Sequence, residues 1–262
     1  MRAPGTCDEP HGTTWGYFGA ATRITVGPDA SDGDVAQNWV MAHKLVHVVF
    51  PSLQPEHLWL EEGLSTYVGS IARAQAGLVP AAYAWGWFLW GMSHGLPQPG
   101  DQGLDRTHRW GRTFWEALCF ALSRIWTFVR APKIGAILTA GGNGETRWLL
   151  AQVLDVADRA TGVPVFGELY QTMKDRPVDI DLTGLWSRLG VSLANEQTSF
   201  DDSAPLASIR RAITAPPAAR LPGDNDPDSS SVRFHTASHR AKEKQQPVIR
   251  PLCARADHAA VK

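Results

Sequence analysis

Between residues 35 and 50 the chain has neither Gly nor Pro and is largely apolar, and Pro51 ends the run. This pattern predicts a buried helix, because proline lacks the N–H of the next helical bond and its ring clashes with the preceding turn. A second apolar stretch, residues 56–76, follows a short hinge over residues 51–55. So short a hinge leaves the two helices packed as a hairpin. The hairpin also points to a chemistry. His43 and His47 stand four apart, so their imidazoles share one helix face at a separation suited to a single metal ion. A metal with catalytic work to do takes three protein ligands and keeps one position for water. Glu62 on the second helix is the nearest third candidate, and Glu61, about 100° further round, competes with it. His57 lies on a different face from Glu62 and is not expected to bind the metal.

The string Trp59-Leu60-Glu61-Glu62-Gly63-Leu64-Ser65-Thr66-Tyr67, following His43-Lys44-Leu45-Val46-His47, resembles the gluzincin zinc metallopeptidases of the aminopeptidase N and glycyl aminopeptidase type. Their mark is HExxH on one helix and Asn-Glu-Gly or a similar tripeptide, with a Tyr soon after, on the next. The resemblance covers about thirty residues and implies one zinc ion held by His43, His47 and Glu62. It also implies a peptide or protein as substrate or ligand. Glu61 is left to orient a metal-bound histidine from behind or to pair with His57, four residues before it.

The chain departs from that pattern in three places. Lys44 stands where the family has the glutamate that takes the proton from the zinc-bound water. An ammonium cannot accept a proton, and a lysine with an ordinary pKa of about 10.4 is charged at neutral pH. A unit positive charge about 5 Å from Zn²⁺ is repelled by roughly 6 to 7 kcal/mol at an effective dielectric of about 20. Fourteen residues separate His47 from Glu62, a shorter spacer than in aminopeptidase N. Finally, Trp110 in Trp110-Gly111-Arg112-Thr113 stands nearest the position of the family's transition-state-stabilising Tyr, and its indole N–H donates a hydrogen bond without an acidic hydroxyl.

The expected activity is that of a metallopeptidase-like protein, inactive or strongly impaired because the general base is missing. The rivals are a non-catalytic scaffold that binds a peptide or protein in the old cleft, and an enzyme using a neutral Lys44 as base.

The remaining sequence predicts a mostly α fold with a small β element at the start. Residues 13–18 and 22–26 read as two strands, and residues 31–34 as the N-cap of the histidine helix. Further helices are expected over 79–92, 112–130, 132–138, 146–159, 164–174 and 182–189. Gly141-Gly142-Asn143-Gly144 reads as a helix-to-helix turn, since it lacks the Lys-Ser/Thr of a phosphate loop. The polar loop 100–110 gathers Asp101, Asp105, His108 and Arg109, where it would either face solvent or support the site. The organisation expected is an N-terminal extension (1–14), a gluzincin-like α-rich catalytic domain (15–193) and a disordered tail (194–262) rich in Pro, Asp and Ser.

With 25 basic and 26 acidic residues the chain has no overall field for nucleic acid. Its most apolar runs, 81–92 and 114–129, are too short or too charged to span a bilayer. Three cysteines without CxxC spacing give no disulfide framework. The first residues lack the apolar segment of a secretory signal, so a cytoplasmic location is expected. Most of the eleven tryptophans, including Trp39, Trp59 and Trp85, are expected in the core.

Overall fold

A computed structural model describes residues 11–16, 19–27, 38–94, 96, 102–106, 133–177, 181–195 and 197–217. The described chain is mostly helical with two small two-stranded sheets. Strand β1 (His11–Trp15) pairs antiparallel with β2 (Ala21–Thr25), in a register that sets Gly12 opposite Ile24 and Thr14 opposite Thr22. Helix α1 (Trp39–Val48) follows, capped by the Asn38 side chain, which accepts from the Val40 N–H at 2.8 Å. That cap corrects the expectation for residues 31–34, which lie outside the described residues.

After the turn at Pro51 and a 3₁₀ turn (Pro55–His57) comes α2 (Leu58–Gln75), as the hairpin pattern requires. The two helices meet closely at Gly69. A β-carbon there would lie 3.0 Å from the His43 nitrogen and 3.2 Å from the Ala42 carbonyl carbon. Only a residue without a side chain allows the α1 backbone so near, and this approach carries Glu62, two turns earlier on α2, up to the histidines.

Helix α3 (Ala81–His94) buries Trp85, Phe88 and Met92 against α2, with Tyr67 and Phe88 stacked at 5.5 Å between ring centres. Each such large side chain contributes about 1.5–3 kcal/mol on leaving water. The same core takes in α4 (Lys133–Thr139), α5 (Leu150–Thr161), α6 (Val165–Met173) and α7 (Leu182–Leu189). Helix α7 has the predicted bounds. Asp181 caps its start by accepting from the Gly184 N–H at 2.8 Å, and Gly190, at φ 65°, ends it in the left-handed region that favours glycine.

Three further expectations need correction. Helix α5 begins at Leu150, because the residues before it pair with the α1–α2 turn instead of coiling. The Ser52 N–H donates to the Thr146 carbonyl at 2.9 Å, and the Trp148 N–H to the Ser52 carbonyl at 3.0 Å. His11 to Thr14 belong to the hairpin rather than to an extension. Order also continues past residue 193. Strand β3 (Val191–Ala194) pairs with β4 (Gln197–Phe200), and α8 (Ala207–Thr214) returns to α2, where the Gln75 amide donates to the Ile213 carbonyl at 2.8 Å. Arg210, buried on α8, donates to the carbonyls of Leu189 at 2.9 Å and Gly190 at 2.7 Å, and pairs with Asp202. The rest of the expected tail, from residue 218, lies outside the described residues, as does the expected helix 112–130.

Trp59 and Trp85 are core residues, as expected, whereas Trp39 is exposed. Among the described residues no helix is long and apolar enough to cross a membrane.

Replacing Gly69 with Val is expected to destabilise the fold by about 1–3 kcal/mol, because the added carbons meet the α1 backbone rather than a movable side chain. A denaturant titration measures the loss, and unchanged stability would show that the helices separate without strain.

Candidate metal centre

Helix α1 presents His43 and His47 to α2 one turn apart, and Glu62 rises between them. His43 Nε2 lies 2.9 Å from Glu62 Oε2 and 3.1 Å from His47 Nε2, and His47 Nε2 lies 3.4 Å from the same carboxylate oxygen. Among the described residues this is the one group of three metal-capable side chains close enough to share an ion. Four-coordinate bonds of about 2.0–2.1 Å place neighbouring donors about 3.3 Å apart. The observed separations lie near that value, so His43, His47 and Glu62 could hold a metal ion. His43 and Glu62 are buried, and His47 is half-buried.

The surrounding groups set the protonation that a metal needs. Thr66, one turn beyond Glu62, donates its hydroxyl proton to the Glu62 carbonyl at 2.9 Å, and its oxygen lies 3.3 Å from His43 Nδ1. With that proton committed, the oxygen can accept from Nδ1–H, and in that tautomer the Nε2 lone pair faces Glu62 and His47, the arrangement a bound cation needs. Burial lowers the pKa of His43, an effect that the hydrogen bond to Glu62 opposes without cancelling. A neutral imidazole is the form that ligates a cation. Burial alone would push the Glu62 carboxyl up, but its hydrogen bonds with the two imidazoles outweigh this and hold it far below the usual carboxylate range. Without an ion these atoms pair through the imidazole protons; a cation would take the place of those protons, with both imidazoles neutral.

Glu61 does not join the three. One of its oxygens accepts from the Leu53 N–H, and the other stands 3.9 Å from His47 Nδ1, behind the imidazole on the side away from Glu62. That distance is long for a hydrogen bond and short enough for charge to act. Burial raises its pKa, against the bond from Leu53. His57 pairs with Asp105 rather than with Glu61, at 3.0 Å, and Asp105 also accepts from the Trp59 indole at 3.1 Å and from the Tyr170 hydroxyl. Asp105 is therefore a tie between the α2 start and α6, not a solvated loop residue. Tyr67, in the motif after Glu62, is a core residue whose phenol is raised by burial.

Lys44 follows His43 on α1 and is half-buried. Its stem runs over Gly12 of β1, where a β-carbon would come within 2.8 Å of Lys44 Cγ, and its carbonyl accepts from the Thr14 hydroxyl at 3.1 Å. The far end of α1 is closed by the glycine turn, with the Gly144 N–H donating to the Val48 carbonyl at 2.8 Å. That turn is thus the expected helix connection with an added role at the site. Trp110, Asp101, His108 and Arg109 lie outside the described residues.

Of the site residues expected from sequence, His43, His47 and Glu62 come together and Glu61 stands behind His47. Thr66 went unnoticed, although its position four residues after Glu62 puts it on the same face. No protein-family model matches the chain, and a comparison with curated proteins gives no match.

Thr66→Val keeps the shape and removes the acceptor for Nδ1–H. It is expected to weaken metal binding about 10- to 100-fold in a chelator competition, with Thr66→Ser restoring it. Equal affinity in all three proteins would remove Thr66 from the account.

Proposed function

We propose that this chain is a zinc-binding protein of gluzincin ancestry whose peptidase chemistry is lost or strongly reduced, and which binds a peptide or protein through the remaining centre. The observation that carries the reading is the convergence of His43 Nε2, His47 Nε2 and Glu62 Oε2 within 3.4 Å of one another, on helices packed backbone to backbone at Gly69. Two imidazoles and a carboxylate suit zinc, and the same set with an open fourth position is the ligand set of hydrolytic zinc sites. The short motif around Glu62 supports the ancestry, and the mostly α architecture with a β-hairpin beside the histidine helix agrees with it.

Zinc bound there would supply a Lewis acid and a water of lowered pKa. The chain's own residues do the rest of what it can do. His43 and His47 would bind through ring-nitrogen lone pairs, that of His43 directed by Thr66, and Glu62 would contribute charge. What the site lacks is a proton acceptor. Lys44 occupies the position from which the proton would be taken, and a protonated amine there offers no lone pair. The loss of a positioned general base costs about 10²- to 10⁴-fold. Glu61 does not substitute for it, because it bonds to Leu53 N–H and faces His47 from behind.

Zinc analysis of the purified protein is expected to find about one equivalent, lost in His43→Ala. Absence of zinc after incubation with excess metal would refute the reading. Given zinc, Lys44→Glu is expected to raise metal-dependent peptide hydrolysis by about 10²-fold or more over the parent protein. A zinc-loaded Lys44→Glu protein with no gain would mean that more than the base has been lost, and would favour the purely binding role.

A further inference from the structure

The residue that opens the histidine helix has no part in the metal set. Trp39, His43 and His47 follow one another at intervals of four on α1, so their rings form a row along one face of the helix. The Trp39 indole meets the His43 imidazole edge to face, with 5.3 Å between ring centres, and His43 meets His47 in the same manner at 4.9 Å. The indole therefore lies within about 9 Å of where an ion bound to His43 Nε2 would sit. Exposure along this row is uneven: His43 is 2% exposed and Trp39 is 40% exposed. The cap of α1 comes from Asn38, so the helix start does not itself call for an aromatic residue. Trp59 and Trp85 bury their rings in the core, whereas Trp39 keeps its ring open beside a candidate metal ligand.

We propose that Trp39 is a specificity residue of the centre, taking an aromatic or large apolar side chain of the peptide segment held at the metal. This rests on the metal reading above and names the class of segment it selects. The polar groups next to the row are already committed, Glu62 to the two imidazoles and the Thr66 hydroxyl to the Glu62 carbonyl. Selection beside His43 therefore comes from apolar contact and ring packing, and an aromatic side chain next to a metal-bound group spans the distance to the indole. An indole face also attracts cations, but a cationic side chain there would be held close to the positive charge of the ion and is disfavoured.

The test uses the full-length protein loaded with cobalt(II), whose visible absorption reports the coordination of the ion. It is titrated with acetohydroxamate and with phenylacetohydroxamate, which offer the metal the same group and differ by one ring. The parent protein is expected to bind the phenyl compound about tenfold more tightly, the gain of packing one ring on another away from water. Trp39→Ala is expected to bring the two compounds within about twofold of each other with little change for acetohydroxamate, and Trp39→Phe to retain most of the preference. Trp39→Leu supplies the same comparison if Trp39→Ala does not hold cobalt. Equal affinity for the two compounds in the parent, or a preference unchanged without the ring, would overturn this proposal and leave the metal reading standing. Loss of cobalt from both Trp39→Ala and Trp39→Leu, or equal weakening of both compounds, would make Trp39 a support for His43 and overturn the proposal likewise. Failure of the parent protein to take up cobalt or zinc would overturn both readings.

Discussion

The closeness of two helices is the constraint on which the site depends. Gly69 lets the α2 backbone run against His43 and Ala42 of α1, and without that approach Glu62 could not stand 2.9 Å from His43 and 3.4 Å from His47. The burial that makes this possible is supplied by other residues of α2, where Trp59 and Tyr67 pack on aromatic residues of α6 and α3. One helix therefore has two tasks: an apolar face that provides stability, and a narrow polar face of Glu62 and Thr66 that concentrates charge. A polar cluster in so buried a place is costly unless every member has a partner. Here Thr66, the imidazoles and the carboxylate supply one another, and an ion would complete the set.

What the sequence made legible was mainly local. The interval between His43 and His47 and the proline after the helix are fixed by the period of an α-helix, so two of the donors could be read directly. Likewise Asp181 and Gly190 mark the two ends of α7, because capping depends on residues within one turn. The reading went astray where pairing is distant. Nothing in Thr146-Arg147-Trp148 announces that Ser52 will take up its backbone groups, and helix propensity alone extended α5 too far. The segment after residue 193 has little apolar periodicity. Its order comes from a short hairpin and from Arg210, a charged residue whose burial is matched by carbonyls brought from α7 and the following turn. A charged side chain in the core is not a signal that composition can give.

Lys44 brings a positive charge next to His43 on α1 without disturbing the frame. The residue is accommodated by Gly12 and stays half-buried, so its cost to the fold is small. Its effect on the site is electrostatic, and electrostatic effects near an ion are larger than most packing effects.

The glycine turn at 141–144 has a bearing on the order of assembly. Its backbone completes the end of α1 at Val48, and Gly16 lies so close to Gly144 that the β-hairpin, the histidine helix and this turn share one junction. The three donors lie within a short early part of the chain, but the backbone group that finishes their helix belongs to a much later one. During synthesis the ligands leave the ribosome well before their brace does. Any capture of metal by the finished centre would therefore come late in folding, and a fragment ending before the turn would carry every donor while lacking part of the frame that holds them in register.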